Sequence, residues 1–271
     1  MTDMPRLESL SPPVRGLILD MDGVLWSDTT PLGDLPAIFS QFRKLHLQFV
    51  LATNNATKTV EEYLAKLSSF GVKLDPGQIV TSSHATAHYL EKTYPRRGLV
   101  FVVGENGILS ALRDAGFSAT TDPDQTEAPR IVVGSIDRTV TYPKLRRAAL
   151  WIRSGVPFYG TNADKTFPTP EGLVPGAGAI LAALEAASGV KPVVIGKPAP
   201  LMLEQAAERM GLSKGEVLVV GDRLETDIAG GQAMGARTAL LLSGVSTRTE
   251  LEAWKPAPDL VAEDLTQLAG I

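Results

Sequence analysis

The chain has 271 residues, 44% of them hydrophobic, and a formal net charge of −4, which suffices for one large domain or two modest ones. It contains no cysteine, which excludes a disulfide framework and thiolate chemistry and favours a reducing, cytoplasmic location. Without a basic stripe, a signal-peptide pattern or an apolar run of about eighteen residues, we expect no nucleic-acid partner and no membrane anchor.

Short apolar runs alternate with amphipathic stretches along the chain. The predicted strands are Val14–Leu19, Gln48–Ala52, Leu99–Val103, Arg130–Val133, Val156–Tyr159, Pro192–Ile195, Val217–Val220 and Thr238–Leu242. The predicted helices are Thr57–Phe70, Gly107–Ala115, Tyr142–Arg153, Ala177–Ala187, Ala199–Met210 and Thr226–Met234. Continuous apolar runs are typical of strands buried on both faces, so the pattern predicts an α/β fold with a mostly parallel sheet.

Polar and charged residues follow four of these strands. In chain order they are Asp20, Asp22, Thr53, Lys197, Asp222 and Asp227. Ligands of open α/β sheets bind outside the carboxyl ends of the strands, so we expect these side chains to converge. The strands that carry them lie towards the two ends of the sequence, which predicts a core domain interrupted by an inserted domain of roughly a hundred residues.

The expected cluster of carboxylates predicts a metal site, because several carboxylates in one crevice cannot all stay ionised without a cation. Hard oxygen ligands without cysteine favour Mg²⁺ over zinc. Magnesium commonly shares phosphate oxygens, and the hydroxyl of Thr53 and the ammonium of Lys197 are groups that hold a phosphate. The residues therefore indicate a small phosphorylated substrate.

The same residues suggest how a phosphate ester would react. An ionised aspartate can attack phosphorus and form an aspartyl-phosphate. Repulsion between the carboxylate and the phosphate opposes this step by about 4 kcal/mol for a unit charge pair at about 4 Å and an effective dielectric constant of about 20, and by about twice that for a dianion. A magnesium ion with Lys197 beside it offsets this repulsion. Asp22, two residues after Asp20 on the same side of an extended chain, is placed to exchange a proton with the leaving group.

The motifs "DMDGVL", "ATNN", "IGKP" and "VGDRLETDI", in that order, resemble those of the haloacid dehalogenase (HAD) superfamily of phosphatases. The stretches "VVGENGILSALRDAGF", "TYPKLRRA" and "FYGTNADKTFPTPEGLVPGAGAI" resemble the type IIA cap of the NagD and p-nitrophenyl phosphatase group. The resemblance covers Gly16 to about Leu265. It implies a HAD-type doubly wound parallel-sheet core, residues 1–81 and 183–271, with an inserted α/β C2-type cap at 82–182 that closes over the site.

The resemblance also implies roles for single residues. Asp20 would be the nucleophile and a Mg²⁺ ligand, and Asp22 the general acid and base, with its backbone carbonyl on the metal. Thr53 and Lys197 would hold the phosphoryl group. The remaining positions are the metal ligands Asp222 and Asp227, with Asp227 acting directly or through water and Lys197, and the substrate-binding residues Gly23, Asn54, Asn55, Asn162, Asp164 and Lys165. Around Gly33-Asp34 the chain departs from the family pattern, which leaves the substrate-side contact of the Trp26–Gly33 segment open.

The predicted activity is therefore dephosphorylation of a small metabolite: a sugar phosphate, a nucleotide, phosphoglycolate or pyridoxal phosphate. A phosphotransferase or mutase using the same aspartate is an alternative, and so is a phospho-signalling module, although receiver modules are about half this length and have no inserted cap. Members of the family that this chain resembles often pair through their caps, so the resemblance makes a homodimer through the cap the candidate assembly, while the sequence leaves the oligomeric state open.

Three other patterns have structural interpretations. "GAGAIL" (176–181) lacks the third glycine of a dinucleotide fingerprint, so its glycines are expected to allow close backbone approach at a helix start. His84 and His88 are one helical turn apart, but the glutamate of the zinc-protease motif is missing, which predicts a surface helix. Trp151 is expected on the core face of a helix in the inserted domain.

Overall fold

The computed structural model describes residue 7 and residues 10–169 and 171–271. Its strands are β1 Gly16–Leu19, β2 Trp26–Ser27, β3 Thr30–Pro31, β4 Gln48–Thr53, β5 Ile79–Thr81, β6 Leu99–Val103, β7 Ser118–Thr120, β8 Ile131–Gly134, β9 Phe158–Gly160, β10 Thr166–Thr169, β11 Gly172–Pro175, β12 Val193–Val194, β13 Val217–Gly221, β14 Arg237–Leu241 and β15 Leu260–Ala262. Its α-helices are α1 Leu35–Lys44, α2 Val60–Ser69, α3 Ser82–Thr93, α4 Asn106–Asp114, α5 Tyr142–Arg153, α6 Ala177–Ser188, α7 Leu201–Met210, α8 Ala229–Met234, α9 Arg248–Ala253 and α10 Leu265–Ala269. Among the described residues, no helix combines the length and the apolar character needed to cross a membrane.

These elements form two compact units. The first unit contains the described residues up to Thr53, together with Val60–Val80 and Lys197–Ile271. The second contains Asn54–Thr59 and Thr81–Gly196. The first unit is thus built from both ends of the chain, as the distribution of charged strand ends predicts.

The sheet of the first unit has the strand order β15-β14-β13-β1-β4-β5. Strand β1 lies inside it, parallel to β13 on one side and to β4 on the other. Every residue of β1 and of β13 is buried, which explains why both read as unbroken apolar runs. Helix α7 packs against β1 and β4, whereas α1 buries Leu35, Ile38, Phe39 and Phe42 in the core that contains Leu17 and Leu19 of β1. The carboxyl ends of β1, β4 and β13 consequently open at one edge of the sheet.

The second unit has its own sheet, ordered β12-β9-β8-β6-β7, and a β10–β11 hairpin. The strand pairs of this sheet are parallel, so the predicted α/β class is confirmed here as well. Trp151 is partly buried against the core formed by α5, α6 and the strands, as predicted. A Cβ at Gly176 or Gly178 would overlap the carbonyl oxygens of the 163–164 segment, which confirms the close backbone approach expected of "GAGAIL".

The boundaries between the two units differ from the expected domain boundaries. The expected insertion ends at residue 182, but all of α6 and β12 belong to the second unit, which ends at Gly196. The physical reason is strand pairing: Val193 of β12 lies opposite Tyr159 of β9 in the second sheet. The prediction that Lys197 follows a strand of the core sheet is therefore wrong. Lys197 is instead the first residue after the chain returns to the first unit.

Candidate active site

Three aspartates meet at the carboxyl edge of the first-unit sheet. Asp20 directly follows β1, and its backbone N–H donates to the carbonyl oxygen of Val220 in the neighbouring strand β13 at 2.9 Å. Asp222 directly follows β13, and Asp227 comes five residues later. One carboxylate oxygen of each aspartate lies within 4.8 Å of one from each of the others. Adjacent parallel strands end at the same edge, which is why residues more than 200 positions apart in the chain meet here.

Asp227 is held in place by the turn that carries it. The predicted helix Thr226–Met234 forms in two parts, a π-helical turn Leu224–Ile228 and then α8. Within the turn, Asp227 Oδ2 accepts a hydrogen bond from the backbone N–H of Arg223 at 3.1 Å. A Cβ at Gly221 would overlap the Asp227 side chain. Glycine at position 221 thus gives the carboxylate the room to turn back towards the sheet edge.

Lys197 joins two of the three carboxylates. Its Nζ donates to Asp20 Oδ1 and to Asp227 Oδ1, both at 2.6 Å, and to the carbonyl oxygen of Ala52 at 3.0 Å. Its side chain is only 3% exposed. Burial by itself lowers the pKa of Lys197, but the charges of Asp20 and Asp227 outweigh that effect, and the pKa is raised. The ammonium is therefore charged, with three acceptors for its three protons.

The carboxylates exceed the single ammonium in charge. Burial is the main cause that raises the pKa of Asp20 well above its usual range; Lys197 lowers it, while Asp227 and Asp222 raise it further. Burial and then the charge of Asp227 raise the pKa of Asp222 to about 6. Without a further cation this cluster resists full ionisation near neutral pH.

The cluster fits a divalent cation. Asp222 Oδ2 accepts from the backbone N–H of Val245 at 2.8 Å, whereas Asp222 Oδ1 is buried and has no hydrogen-bond partner among the described residues. A buried, ionised oxygen without a partner is costly, and a metal ion would satisfy it. The ligands are all carboxylate oxygens, which suit Mg²⁺ or Ca²⁺ rather than zinc. Asp20, Asp222 and Asp227 could hold such an ion.

The raised pKa values predict how the stability of the metal-free protein depends on pH. A carboxyl group whose pKa is higher in the folded than in the unfolded state contributes stability that is present below its unfolded pKa of about 3.9 and is lost as the pH rises through its folded pKa. With the pKa of Asp222 at about 6, we expect the free energy of unfolding in EDTA to fall between about pH 4 and pH 7. Denaturant unfolding at a series of pH values measures this, and Asp222→Asn should flatten the profile. Stability that rises across this range would contradict the description of the cluster.

Asp22 lies apart from this cluster. Its side chain is exposed, and Asp22 Oδ1 accepts a hydrogen bond from Trp26 Nε1 at 2.8 Å. Gly23 has a left-handed backbone, with φ of +82°, and a Cβ there would overlap the carboxylate of Asp222. A glycine is thus required at position 23 for steric reasons, besides any contact with substrate. Thr53 ends β4 and is buried.

The other predicted substrate-binding residues belong to the second unit. Asn54 Nδ2 donates to both carboxylate oxygens of Asp164, at 3.2 and 3.1 Å, and Asn162 Nδ2 donates to the carbonyl oxygen of Asn54 at 2.8 Å. Asn55 Oδ1 accepts from the backbone N–H and the hydroxyl of Thr57, at 3.0 and 2.7 Å. The structure thus brings Asn54, Asn162 and Asp164 together, bonded to one another, while Lys165 is exposed.

Sequence reasoning missed several groups that shape the site. They are the indole of Trp26, the carbonyl oxygen of Ala52, the backbone N–H of Val245 and the glycine at 244. A Cβ at Gly244 would overlap the carboxylate of Asp222. A signal for the last two was present, because "SGV" follows the predicted strand Thr238–Leu242. The rule that ligands gather at strand ends applies to that strand as well.

Comparison with known proteins places the chain in a family. Residues 17–118 match the family described as haloacid dehalogenase-like hydrolase, and residues 194–268 match the HAD-hydrolase-like family. An acid sugar phosphatase from Staphylococcus epidermidis is 34% identical over 251 residues, which are 93% of this chain and 95% of that protein.

Solved structures agree with this assignment. The p-nitrophenyl phosphatase from Archaeoglobus fulgidus has a TM-score of 0.88 and 31% identity, covering 95% of this chain and 99% of its own. NagD from E. coli K-12 has a TM-score of 0.86 and 29% identity, covering 95% of this chain and 98% of its own. These matches confirm the predicted HAD-type fold with its inserted C2-type cap. The chain belongs to the haloacid dehalogenase-like hydrolases, as a phosphatase of the subfamily IIA group that includes NagD and the p-nitrophenyl phosphatases.

Proposed function

We propose that this phosphatase is a magnesium-dependent phosphomonoesterase that acts on a small phosphorylated metabolite through an aspartyl-phosphate on Asp20. One observation carries the proposal. The carboxylate of Asp20 stands at a strand end beside two other aspartates, and Lys197 Nζ holds its Oδ1 at 2.6 Å. This arrangement leaves Oδ2 of the same carboxylate for attack on phosphorus while a buried positive charge lies alongside.

The reaction then needs two chemical steps. In the first, a bond forms between an Asp20 oxygen and phosphorus, the ester P–O bond breaks, and Asp22 gives a proton to the leaving oxygen. In the second, Asp22 takes a proton from water as the water attacks the aspartyl-phosphate, which releases inorganic phosphate and restores Asp20. Thr53 and Lys197 hold the phosphoryl group through both steps. The bound magnesium ion, held by Asp20 and Asp222 with the Asp22 carbonyl, would neutralise charge on the phosphoryl oxygens.

For Asp227 we propose that it acts on the metal through water and Lys197 rather than as a direct ligand. Its Oδ1 accepts from Lys197 and its Oδ2 from the backbone N–H of Arg223. With both oxygens engaged, Asp227 would orient Lys197 and reach the metal through water. Asp222, whose Oδ1 is buried without a partner among the described residues, is the better direct ligand.

The relatives suggest which substrates to try first. An acid sugar phosphatase and p-nitrophenyl phosphatases are similar to this chain over nearly all of its length. We therefore rank sugar phosphates first, ahead of nucleotides, phosphoglycolate and pyridoxal phosphate, with p-nitrophenyl phosphate as a chromogenic probe. Asn162, Asp164 and Lys165 stay predicted substrate-side residues. A cytoplasmic location and a homodimer through the cap also stay predictions, and sedimentation of the purified chain would test the second.

Metal removal tests the proposal directly. We expect dialysis against EDTA to lower phosphate release from this panel by about 10²-fold or more, and added magnesium to restore it, because the negative cluster otherwise repels the phosphate dianion. Inorganic phosphate and the released alcohol are measured together, with glycerol added as a competing acceptor. One phosphate per alcohol supports a hydrolase, whereas transfer of the phosphoryl group to glycerol supports the phosphotransferase alternative. Activity that resists EDTA would contradict the metal requirement.

A further inference from the structure

The indole of Trp26 is bonded to the predicted acid. Trp26 is 0% exposed, and its Nε1 donates to Asp22 Oδ1 at 2.8 Å. The backbone between the two residues forms a tight turn, in which Leu25 N donates to the carbonyl oxygen of Met21 and Gly23 N to that of Trp26, both at 2.8 Å. This turn folds the chain back, so that a residue four positions later faces Asp22. Trp26 is therefore an interior residue of the first unit.

The ring of Trp26 is fixed from several directions. Tyr63 stacks on it with ring centroids 6.5 Å apart and planes 15° apart, and Phe70 packs against it at 5.9 Å. Lys66 Nζ lies 4.0 Å from the ring centroid and also donates to the carbonyl oxygen of Asp28 at 2.6 Å. The indole cannot turn without breaking these contacts, so its N–H points at a fixed place in the molecule.

Asp22, by contrast, is exposed and would be free to change rotamer without this bond. A donor on a buried, rigid ring holds Oδ1 of the carboxyl group and leaves Oδ2 to exchange the proton. A phenylalanine at position 26 would fill most of the same space but would offer no donor.

We propose that Trp26 is a positioning residue that orients the carboxyl group of Asp22 for proton transfer. The inference rests on the proposed function, in which Asp22 protonates the leaving group. Trp26 is 0% exposed, and its indole N–H engages the carboxyl group of Asp22. It acts through the geometry of Asp22, and a well-oriented proton donor loses rate steeply when it is misplaced.

Nuclear magnetic resonance of the indole N–H groups tests the hydrogen bond between Trp26 and Asp22 independently of an activity measurement. The chain has three tryptophans, so ¹⁵N-indole labelling should give three side-chain N–H signals, assigned with Trp151→Phe and Trp254→Phe. The Trp26 signal is expected downfield, with slow exchange against solvent, and Asp22→Ala should move it upfield. Asp28→Asn, which removes an exposed negative charge two residues from Trp26 and suits the left-handed backbone there (φ of +52°), should leave it in place. A Trp26 signal that does not respond to Asp22→Ala would overturn the inference.

Steady-state kinetics test whether Trp26 affects protonation of the leaving group by Asp22. We compare kcat/KM, which covers the steps up to release of the alcohol, for an alkyl phosphate and for p-nitrophenyl phosphate, whose leaving group needs little protonation. Trp26→Phe should lose about tenfold more on the alkyl phosphate, since it lacks the hydrogen bond to a charged group. Phe70→Leu loosens the packing around the same ring but keeps the N–H, so it should lower both values by a similar, small factor. Thermal unfolding of both variants checks that they fold.

Asp22→Asn separates the two ways in which the experiment can fail. If that variant also loses equally on both substrates, then Asp22 is not the acid, and the inference fails together with that part of the proposed function. If Asp22→Asn discriminates between the substrates while Trp26→Phe does not, the positioning role alone is overturned.

Discussion

Replacing Asp20 by asparagine is expected to lower phosphate release by about 10⁴-fold or more while the fold stays intact. The amide keeps the volume of the side chain but cannot act as an ionised nucleophile. Stability should change little in the metal-free protein. Burial and the nearby aspartates raise the pKa of Asp20, so a neutral group at this position relieves repulsion, although Lys197 loses one charged partner. Steady-state phosphate release and thermal unfolding in EDTA measure the two effects.

Asp114→Asn is the matched control for this variant. Asp114 ends α4 in the second unit, and it is exposed, so the same change of charge there should leave activity within about twofold of wild type. Near wild-type phosphate release from Asp20→Asn would overturn the aspartyl-phosphate mechanism. Unfolding of that variant at ordinary temperature would show that the carboxylate is needed for the fold.

Replacing Lys197 by methionine has the second largest expected effect, because it should reduce both activity and stability. Lys197 is buried between Asp20 and Asp227, and removing one partner of a buried ion pair leaves the other charges uncompensated, at a cost of about 3–5 kcal/mol. Phosphate release should fall by about 10²–10³-fold, since the phosphoryl group loses its buried cation. Methionine preserves the length of the apolar stem, so lost packing contributes little.

Urea unfolding in EDTA measures the loss of stability, and Lys191→Met is its control because Lys191 is exposed. The double variant Lys197→Met/Asp227→Asn should regain part of the lost free energy, since it also removes one of the buried charges. If Lys197→Met is as stable as wild type and the double variant gains nothing, the buried ion pair does not hold the site together. Added magnesium should stabilise Lys197→Met more than wild type, because the ion supplies the missing positive charge.

Residues that directly follow a buried strand of the core sheet lie together, as predicted from their positions in the sequence. Asp20 and Asp222 were predicted to meet, and they do, because β1 and β13 are adjacent and parallel. The prediction failed for Lys197, whose preceding strand β12 pairs with β9 in the second sheet. The two valines of β12 do not indicate which of two parallel sheets they join, because the strands of both sheets have the same apolar composition.

Two residues that are close in sequence to a predicted site residue have side chains that point elsewhere. Asp22 is only two residues from Asp20, yet its carboxylate lies outside the cluster of acids and is bonded to Trp26. The turn over residues 21–26 and its left-handed Gly23 set this direction, whereas an extended chain would place both aspartates on one side. Asn54 follows Thr53 directly, yet its side chain is bonded to Asp164 within the second unit.

The amino-acid sequence by itself determined the α/β class, the interrupted core, the family, and which aspartates and which lysine would meet in the buried cluster. These depend on local patterns, namely apolar runs, the residues that follow them and the order of four motifs. Such patterns can be recognised in the sequence without any tertiary contact being known. Only the tertiary structure decided which oxygen each donor engages. That Lys197 joins Asp20 to Asp227, that Asp222 keeps a buried oxygen without a partner among the described residues, and that a buried indole holds Asp22 are outcomes of strand pairing and packing between distant segments. Contacts of that kind depend on the whole fold, because each is set by the placement of two backbones rather than by either residue's neighbours in the sequence.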